Sequence, residues 1–409
     1  MSQPMDKALR ERAARVIPGG MYGHQAVGAL PEGYPQFFAR AEGAWLWDMD
    51  GKLLLDLMCA YGPQLFGYGN AKIDRAYVDQ MATGDAMTGP SPLMVDLAEK
   101  IVAMIGHADW AMFCKNGSDA TTMALMTARA HTGKNGVVRA RGAYHGSPGD
   151  QAGQHFCDYN DVASLEAAVT SAGTDLAAIF AAPYRHDVFV DQTQPDAAYA
   201  RRARELADET GALLIVDDVR AGFRMARDCS WSVVGVAPDL SCWGKAIANG
   251  HPISALVGSD KARGAAEKIY ATGSYWFAAA AMAASLATLG LIHSSDYLER
   301  IVAMGGRLRA GLDVRAQKHG FALRQTGPAQ MPLILFDKDP DMRLGYHWCS
   351  RMVSHGVYVH PWHNMFMSAA MTDENIDFAL DAATESFREL EQAAPTLGPN
   401  TRYPGPRKG

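Results

Sequence analysis

Helical and strand-like spacings of apolar residues alternate through the middle of the chain. The stretch "SPLMVDLAEKIVAMI" repeats its apolar positions at helical spacing, and "WAMFCK" is a short apolar run that predicts a strand. The alternation continues with "DATTMALMTARAHTG" as a helix stopped by glycine, "NGVVRAR" and "LAAIFAAP" as strands, and "AAYARRARELADETG" as a helix. "ALLIVDDV", "DLSCW" and "ISALVG" follow as strands. These strands are apolar at nearly every position, so both faces are buried. An α/β fold with a mostly parallel sheet flanked by helices follows. After residue 296 the pattern changes to a helical stretch, the runs "MPLILF", "GVYVHP" and "MFMSAAMT", and a last helix "DENIDFALDAATESFRELEQAA", an α+β arrangement. A chain of 409 residues exceeds what one core usually serves. The expected division is an N-terminal segment 1–50, a large domain 51–295 and a smaller domain 296–409.

The opening "MSQPMDKALRERAARVIPGG" predicts a short amphipathic helix stopped by Pro18-Gly19-Gly20, without the continuous apolar core of a secretory signal. "WFAAAAMAASLATLGLIHSS" is interrupted by Ser285, Thr288 and Gly290, so a buried helix is expected there and no membrane span. The tail "TLGPNTRYPGPRKG" is expected to be extended or disordered. A net charge of −6 with scattered basic residues argues against nucleic-acid binding. The 6 cysteines form no CxxC pair, which predicts reduced thiols in a cytoplasmic protein, with neither a metal site nor a disulfide frame.

In open sheets of this kind, ligands gather at the carboxyl ends of the strands. Three polar features fall at such ends. Asn116-Gly117-Ser118 lies where a strand gives way to a helix, whose first N–H groups suit an anion such as phosphate. Ser118 serves equally well as a helix cap, and Asp119 in the first turn has to point away from any anion. Asp217-Asp218 ends an apolar strand and suits either a magnesium ion or a cationic ring nitrogen. Lys245 sits between "DLSCWG" and "AIANG"; desolvated, its amine becomes a nucleophile toward a carbonyl, and otherwise it reaches solvent or pairs with a buried acid. An anion anchor, an acid and a lysine are together the three grips that pyridoxal 5'-phosphate requires. Tyr144 in "RGAYHGSPG" supplies an aromatic for the face of its ring.

The ordered set "NGSDAT", "GAYHG", "ALLIVDDVRAGFR", "DLSCWGKAIANGHPISALVG" and "ATGSYWFAAAAMAA" resembles the class III, fold type I pyridoxal-phosphate-dependent aminotransferases, closest to their glutamate-1-semialdehyde aminomutase-like branch. "GAWLWDMDGKLLLDL", "YGPQLFGYG" and "NMFMSAAMTDENID" extend the likeness over nearly the whole chain. The resemblance implies that Lys245 forms the Schiff base and Asp217 pairs with the pyridinium nitrogen. It implies that Val219 and Tyr144 cover the two ring faces, and that Asn116, Gly117 and Ser118 hold the phosphate. Thr272 would reach the phosphate of a neighbouring subunit, which implies a homodimer with shared active sites, the segment 1–50 packing with the small domain and the partner. His145 is either a cofactor contact or structural.

The implied activity is ping-pong transfer of an amino group between a small amino acid or amine and a keto acid or aldehyde, with Lys245 as general base. Departures from the family pattern bear on the substrate. "PGGMYGHQAVGAL" offers Tyr22, His24 and Gln25 where aminomutases carry a carboxylate-gripping arginine. "AAPYRHD" replaces the usual acid-proline and makes Arg185 a carboxylate candidate. Tyr61 falls at a substrate-facing position, and Arg220 replaces a glutamine or apolar residue, to tune the ring, bind a substrate carboxylate or pair with Asp218. The segment after "YHG" is short and runs almost directly into the next helix, which favours intermolecular transfer. The alternatives are an intramolecular aminomutase and a catalytically idle scaffold or regulator.

Overall fold

The computed structural model describes residues 4–146, 153–187, 189–403 and 405. The chain divides into two units: Met1–Asn70 with Val188–Asp191 and Glu299–Lys408, and Ala71–Asp187 with Gln192–Leu298.

The first unit starts with helix α1, Pro4–Val16, whose buried Asp6 accepts from the backbone N–H groups of Gln36 at 2.8 Å and Phe37 at 3.0 Å. Strands β1 Phe38–Glu42, β2 Trp45–Asp48 and β3 Leu53–Asp56 form an antiparallel meander. The break expected at residue 50 falls between β2 and β3, which pair with each other, and the unit runs on to Asn70.

The second unit opens with helices α2 Ala71–Thr83 and α3 Leu93–Met104. Its sheet uses β4 Trp110–Cys114, β5 Gly136–Ala140, β6 Gln154–Cys157, β7 Leu176–Ala181, β8 Leu213–Asp217, β9 Leu240–Trp243 and β10 Ser254–Gly258. The spatial order is β4-β10-β9-β8-β7-β5-β6. β10 runs antiparallel to both neighbours, and the remaining pairings are parallel. Every residue of β7 and β8 is buried, as the unbroken apolar runs predict. Helices α4 Gly117–Thr132, α5 Val162–Ala172, α6 Ala197–Thr210, α7 Asp260–Ala266 and α8 Ala279–Ser294 complete the unit. α4 lies on β7, β9 and β10, and α8 packs on α2 and α3. Where the sequence led almost straight to a helix, the edge strand β6 intervenes, paired with β5 from Val137 to Ala140. Its residues Gln154-His155-Phe156-Cys157 are mostly not buried, so little apolar signal announces them.

From Glu299 on, α9 Tyr297–Lys318 belongs to the first unit, with the antiparallel pair β11 Leu323–Thr326 and β12 Leu333–Phe336. α10 Arg343–Ser354, β13 Val357–Tyr358 and α11 Asp373–Ala393 follow, and β13 joins β3 in parallel. "MFMSAAMT" forms no regular strand; it is held by single bonds such as Met365 N–H to Pro332 O at 2.8 Å and Met367 N–H to Gln330 O at 2.9 Å. The tail packs down as far as Tyr403. Its ring lies 5.3 Å from that of Phe189, Phe189 lies 4.8 Å from Trp362, and Asn400 N–H donates to Asp341 Oδ2 at 3.0 Å. Among the described residues no helix is long and apolar enough to cross a membrane.

Candidate active site

The carboxyl ends of β8 and β9, the loop after β5 and the N-terminus of α4 border a cavity of about 210 Å³ in the second unit. At one end, Asn116 is extended (φ −117°) and hands the chain into α4 at Gly117. The first N–H groups of a helix have no partners within it and carry partial positive charge. Asp119 leaves them available to an anion: its Oδ2 accepts from the N–H of Asn116 at 2.8 Å and of Lys115 at 3.2 Å, so the carboxylate is folded back as a cap. Two glycines shape the cradle. A Cβ on Gly117 would stand 2.6 Å from Val219 Cγ1, and one on Gly146, at φ +98°, would stand 2.6 Å from Ser118 Oγ. Thr121 Oγ1 ties the "GAYHG" loop to the helix by donating to His145 O at 2.9 Å.

Asp217 ends β8, buried and fixed on both oxygens. Its Oδ2 is 2.9 Å from His145 Nδ1, and its Oδ1 accepts from Val219 N–H at 3.1 Å. His145 stacks on Phe180 at 4.2 Å, which locks the imidazole in turn. Asp218 turns to a different partner, accepting from Ser230 N–H at 2.9 Å, and burial pushes its carboxyl up to about 7. The adjacent acids therefore do not converge on one ion, and among the described residues no cluster of metal-ligating side chains occurs.

Lys245 follows β9. Gly244 is extended, and Lys245 itself adopts φ +45° to open a short 3₁₀ turn, Lys245–Ala248. A left-handed backbone costs a residue with a side chain roughly 1–2 kcal/mol. Burial lowers its amine to about 7, Arg220 and Arg224 pushing the same way and Asp217 opposing. Near neutral pH a large share of this lysine is the uncharged, nucleophilic form.

Asn116, Gly117, Ser118, Asp217, Val219 and Lys245 all border the cavity, and Tyr144, half-exposed, does so too. His145 stands outside the lining and acts on Asp217. Thr272 is exposed and outside the lining. Arg185 pairs with Asp187 at 3.2 Å and its side chain is 43% exposed; the next residue, His186, lines the cavity instead. Sequence reasoning passed over His186, although it lies in the "AAPYRHD" departure. Arg220 is buried, lines the cavity and donates to His186 O at 3.2 Å. In the first unit, Tyr61 ends a run of three left-handed residues, Cys59, Ala60 and Tyr61, and its hydroxyl accepts from Gln25 Nε2 at 2.7 Å. His24 sits in the turn Gly23–Gln25, and its side chain falls outside the described residues.

A helix N-terminus shaped by two glycines, a buried fixed carboxylate and a lysine of lowered pKa suit a ligand with an anion, a cationic nitrogen and a carbonyl, the functional groups of pyridoxal phosphate.

Known proteins share this architecture. The chain matches the family Aminotransferase class-III over residues 29–149 and 159–387. It is 54% identical over 406 residues to an aminopentol aminotransferase of Sphingopyxis macrogoltabida, covering 96% of each chain. The solved structure of the PLP internal aldimine form of the FumI protein from Sphingopyxis sp. MTA144 superposes with a TM-score of 0.94 at 53% identity, covering 96% of this chain and 98% of that one. A glutamate-1-semialdehyde 2,1-aminomutase of Nitrosomonas europaea is further off, at 28% identity over 93% of this chain and 96% of its own.

Proposed function

The chain belongs to the class-III aminotransferases and is a pyridoxal-phosphate-dependent transaminase of fold type I; on that premise we propose that the cavity of about 210 Å³ holds the cofactor and that Lys245 and Asp217 are its catalytic residues. One observation carries this reading: a buried lysine with a lowered pKa, a fixed carboxylate and a helix N-terminus open onto the same space. Bound there, pyridoxal phosphate supplies an electron-accepting ring for the carbanion formed at the amine-bearing carbon of the substrate. The N–H groups of Gly117 and Ser118 bind the phosphate, while Tyr144 and Val219 close on the two ring faces. Asp217 keeps a proton on the ring nitrogen, and His145 and Val219 N–H hold its carboxylate in place. The neutral Lys245 amine would take the proton from the amine-bearing carbon of the substrate and deliver it to the aldehyde-derived carbon of the cofactor, so that hydrolysis by water leaves the amino group on the cofactor and releases a carbonyl product.

For the substrate, the 54% identity to an aminopentol aminotransferase supports an amine on a hydroxyl-bearing chain as donor; the acceptor we propose is a keto acid or aldehyde. Descent from the aminomutase-like branch has weaker support, the 28% identity to one such enzyme. We place two copies of the chain in the working enzyme, Thr272 of each reaching the other's phosphate. Tyr270, 88% exposed, and Tyr275, 69% exposed, flank Thr272 and favour burial against a partner. Six buried free thiols fit a reducing cytoplasm.

The test is a half-reaction screen. Holoenzyme is mixed with hydroxylated primary amines and with α-amino acids, and the visible absorbance of the cofactor is followed. The hydroxylated amines should bleach it, and turnover should require an added keto acid. Turnover with no acceptor would reveal an intramolecular mutase and overturn the donor–acceptor reading.

A further inference from the structure

Another cavity, of about 440 Å³, opens within the first unit where β12 leads into α10, and no residue borders both it and the cofactor cavity. Its size is that of small-ligand sites, ~300–1,000 Å³. Leu335 and Met342 of a buried apolar cluster form part of its wall, and the rings of Phe189, Phe336 and Tyr403 border it. Three residues on this border have left-handed backbones: Phe189 (φ +71°), Lys338 (φ +57°) and Met342 (φ +57°). Side chains disfavour that conformation, and such strain gathers at sites that clamp ligands. A missing side chain also keeps the space open. Gly345 is buried in the first turn of α10, and a Cβ there would meet Asp339 Oδ2 at 3.6 Å, Phe336 Cδ2 at 3.9 Å and Pro361 O at 3.9 Å, ordinary contacts with three residues of the cavity wall. Neither clash nor backbone therefore demands glycine, and a helix loses stability by carrying it in place of alanine. What glycine provides here is room.

The charges on the border do not cancel. Arg324 Nε pairs with Asp191 Oδ1 at 3.3 Å, and Asp339 accepts from the N–H groups of Leu344 at 3.1 Å and Gly345 at 2.9 Å, at the positive end of α10. Lys338 is exposed, and its ammonium makes no hydrogen bond or ion pair among the described residues. One uncompensated cation thus stands beside an apolar hollow. We propose that this cavity is a second binding site, for a small carboxylate with an aromatic body: the body lies among Phe189, Phe336 and Tyr403, and the carboxylate meets the Lys338 ammonium. Ring edges and faces favour an aromatic body over an aliphatic one, and a hydrogen bond between two charged groups is stronger than one between neutral groups.

Isothermal titration calorimetry of holoenzyme with phenylbutyrate, and with the uncharged phenylbutanol, tests the site. Wild-type protein should bind the carboxylate more tightly than the alcohol. K338E should weaken the carboxylate about tenfold or more, which is ~1.4 kcal/mol, and leave the alcohol unchanged, whereas K338R should behave as wild type. G345L, which fills the hollow, should weaken both ligands. Throughout, the visible absorbance of the cofactor should stay constant, because the two cavities share no residue. Should G345L fail to fold, the two variants of Lys338 still decide. Wild-type affinity of K338E for the carboxylate overturns the site, as does a wild-type holoenzyme that shows no saturable binding at millimolar phenylbutyrate. Binding that changes the cofactor's absorbance and is the same in every variant belongs to the cofactor cavity and overturns it too.

Discussion

In Lys245 a left-handed backbone and a weakened hold on its proton meet in one residue. The second property makes stability depend on pH in a calculable direction. An unfolded lysine binds its proton up to about pH 10.4, whereas this folded one releases it near 7. Between those values the unfolded state binds more protons, so stability rises with pH across that window. Below it, the folded protein holds a buried cation at full cost. Lys245→Met in cofactor-free protein should therefore stabilise most at pH 6, the gain shrinking toward pH 9.5; urea melts of both proteins at the two pH values check it. The position of this lysine and of Asp217 on the cavity was legible because Asp217 ends an apolar strand and Lys245 closely follows one, where a parallel sheet opens. His186 was not, since one imidazole in a loop of mixed polarity carries no period, and the charge on Arg185 drew attention to a side chain that faces Asp187.

Among elements, α4 carries the clearest consequence. Its sequence announced a helix whose start suits either an anion or a plain Ser118 cap, and it left the direction of Asp119 open. The answer is a cap on the N–H groups of Lys115 and Asn116. Asp119→Ala should cost about 1 kcal/mol of stability by urea unfolding while improving phosphate binding slightly, because a nearby negative charge is gone. Gly117→Ala puts a methyl against Val219, and cofactor affinity, read by equilibrium dialysis, should fall about tenfold or more, ~1.4 kcal/mol. β7 and β8 were readable since burial on both faces leaves an unbroken apolar run. β6 and the irregular "MFMSAAMT" stretch were not. An edge strand of four residues is specified by pairing with β5, and the second segment is apolar for burial while its hydrogen bonds go to scattered partners.

At the scale of the whole molecule, sedimentation should give twice the chain mass, and Thr272→Ala should speed cofactor loss on dilution without altering the fold by circular dichroism. A monomer that retains full activity would end the shared-site reading. The Pro- and Gly-rich tail looked unstructured because no apolar period runs through it; up to Tyr403 its order comes from that one aromatic and a few hydrogen bonds to distant partners. That arrangement makes the last stretch a working part of the first unit. A stop codon before Leu397 would strip Tyr403 from Phe189 and leave that ring wet, and the shortened protein should clump during expression.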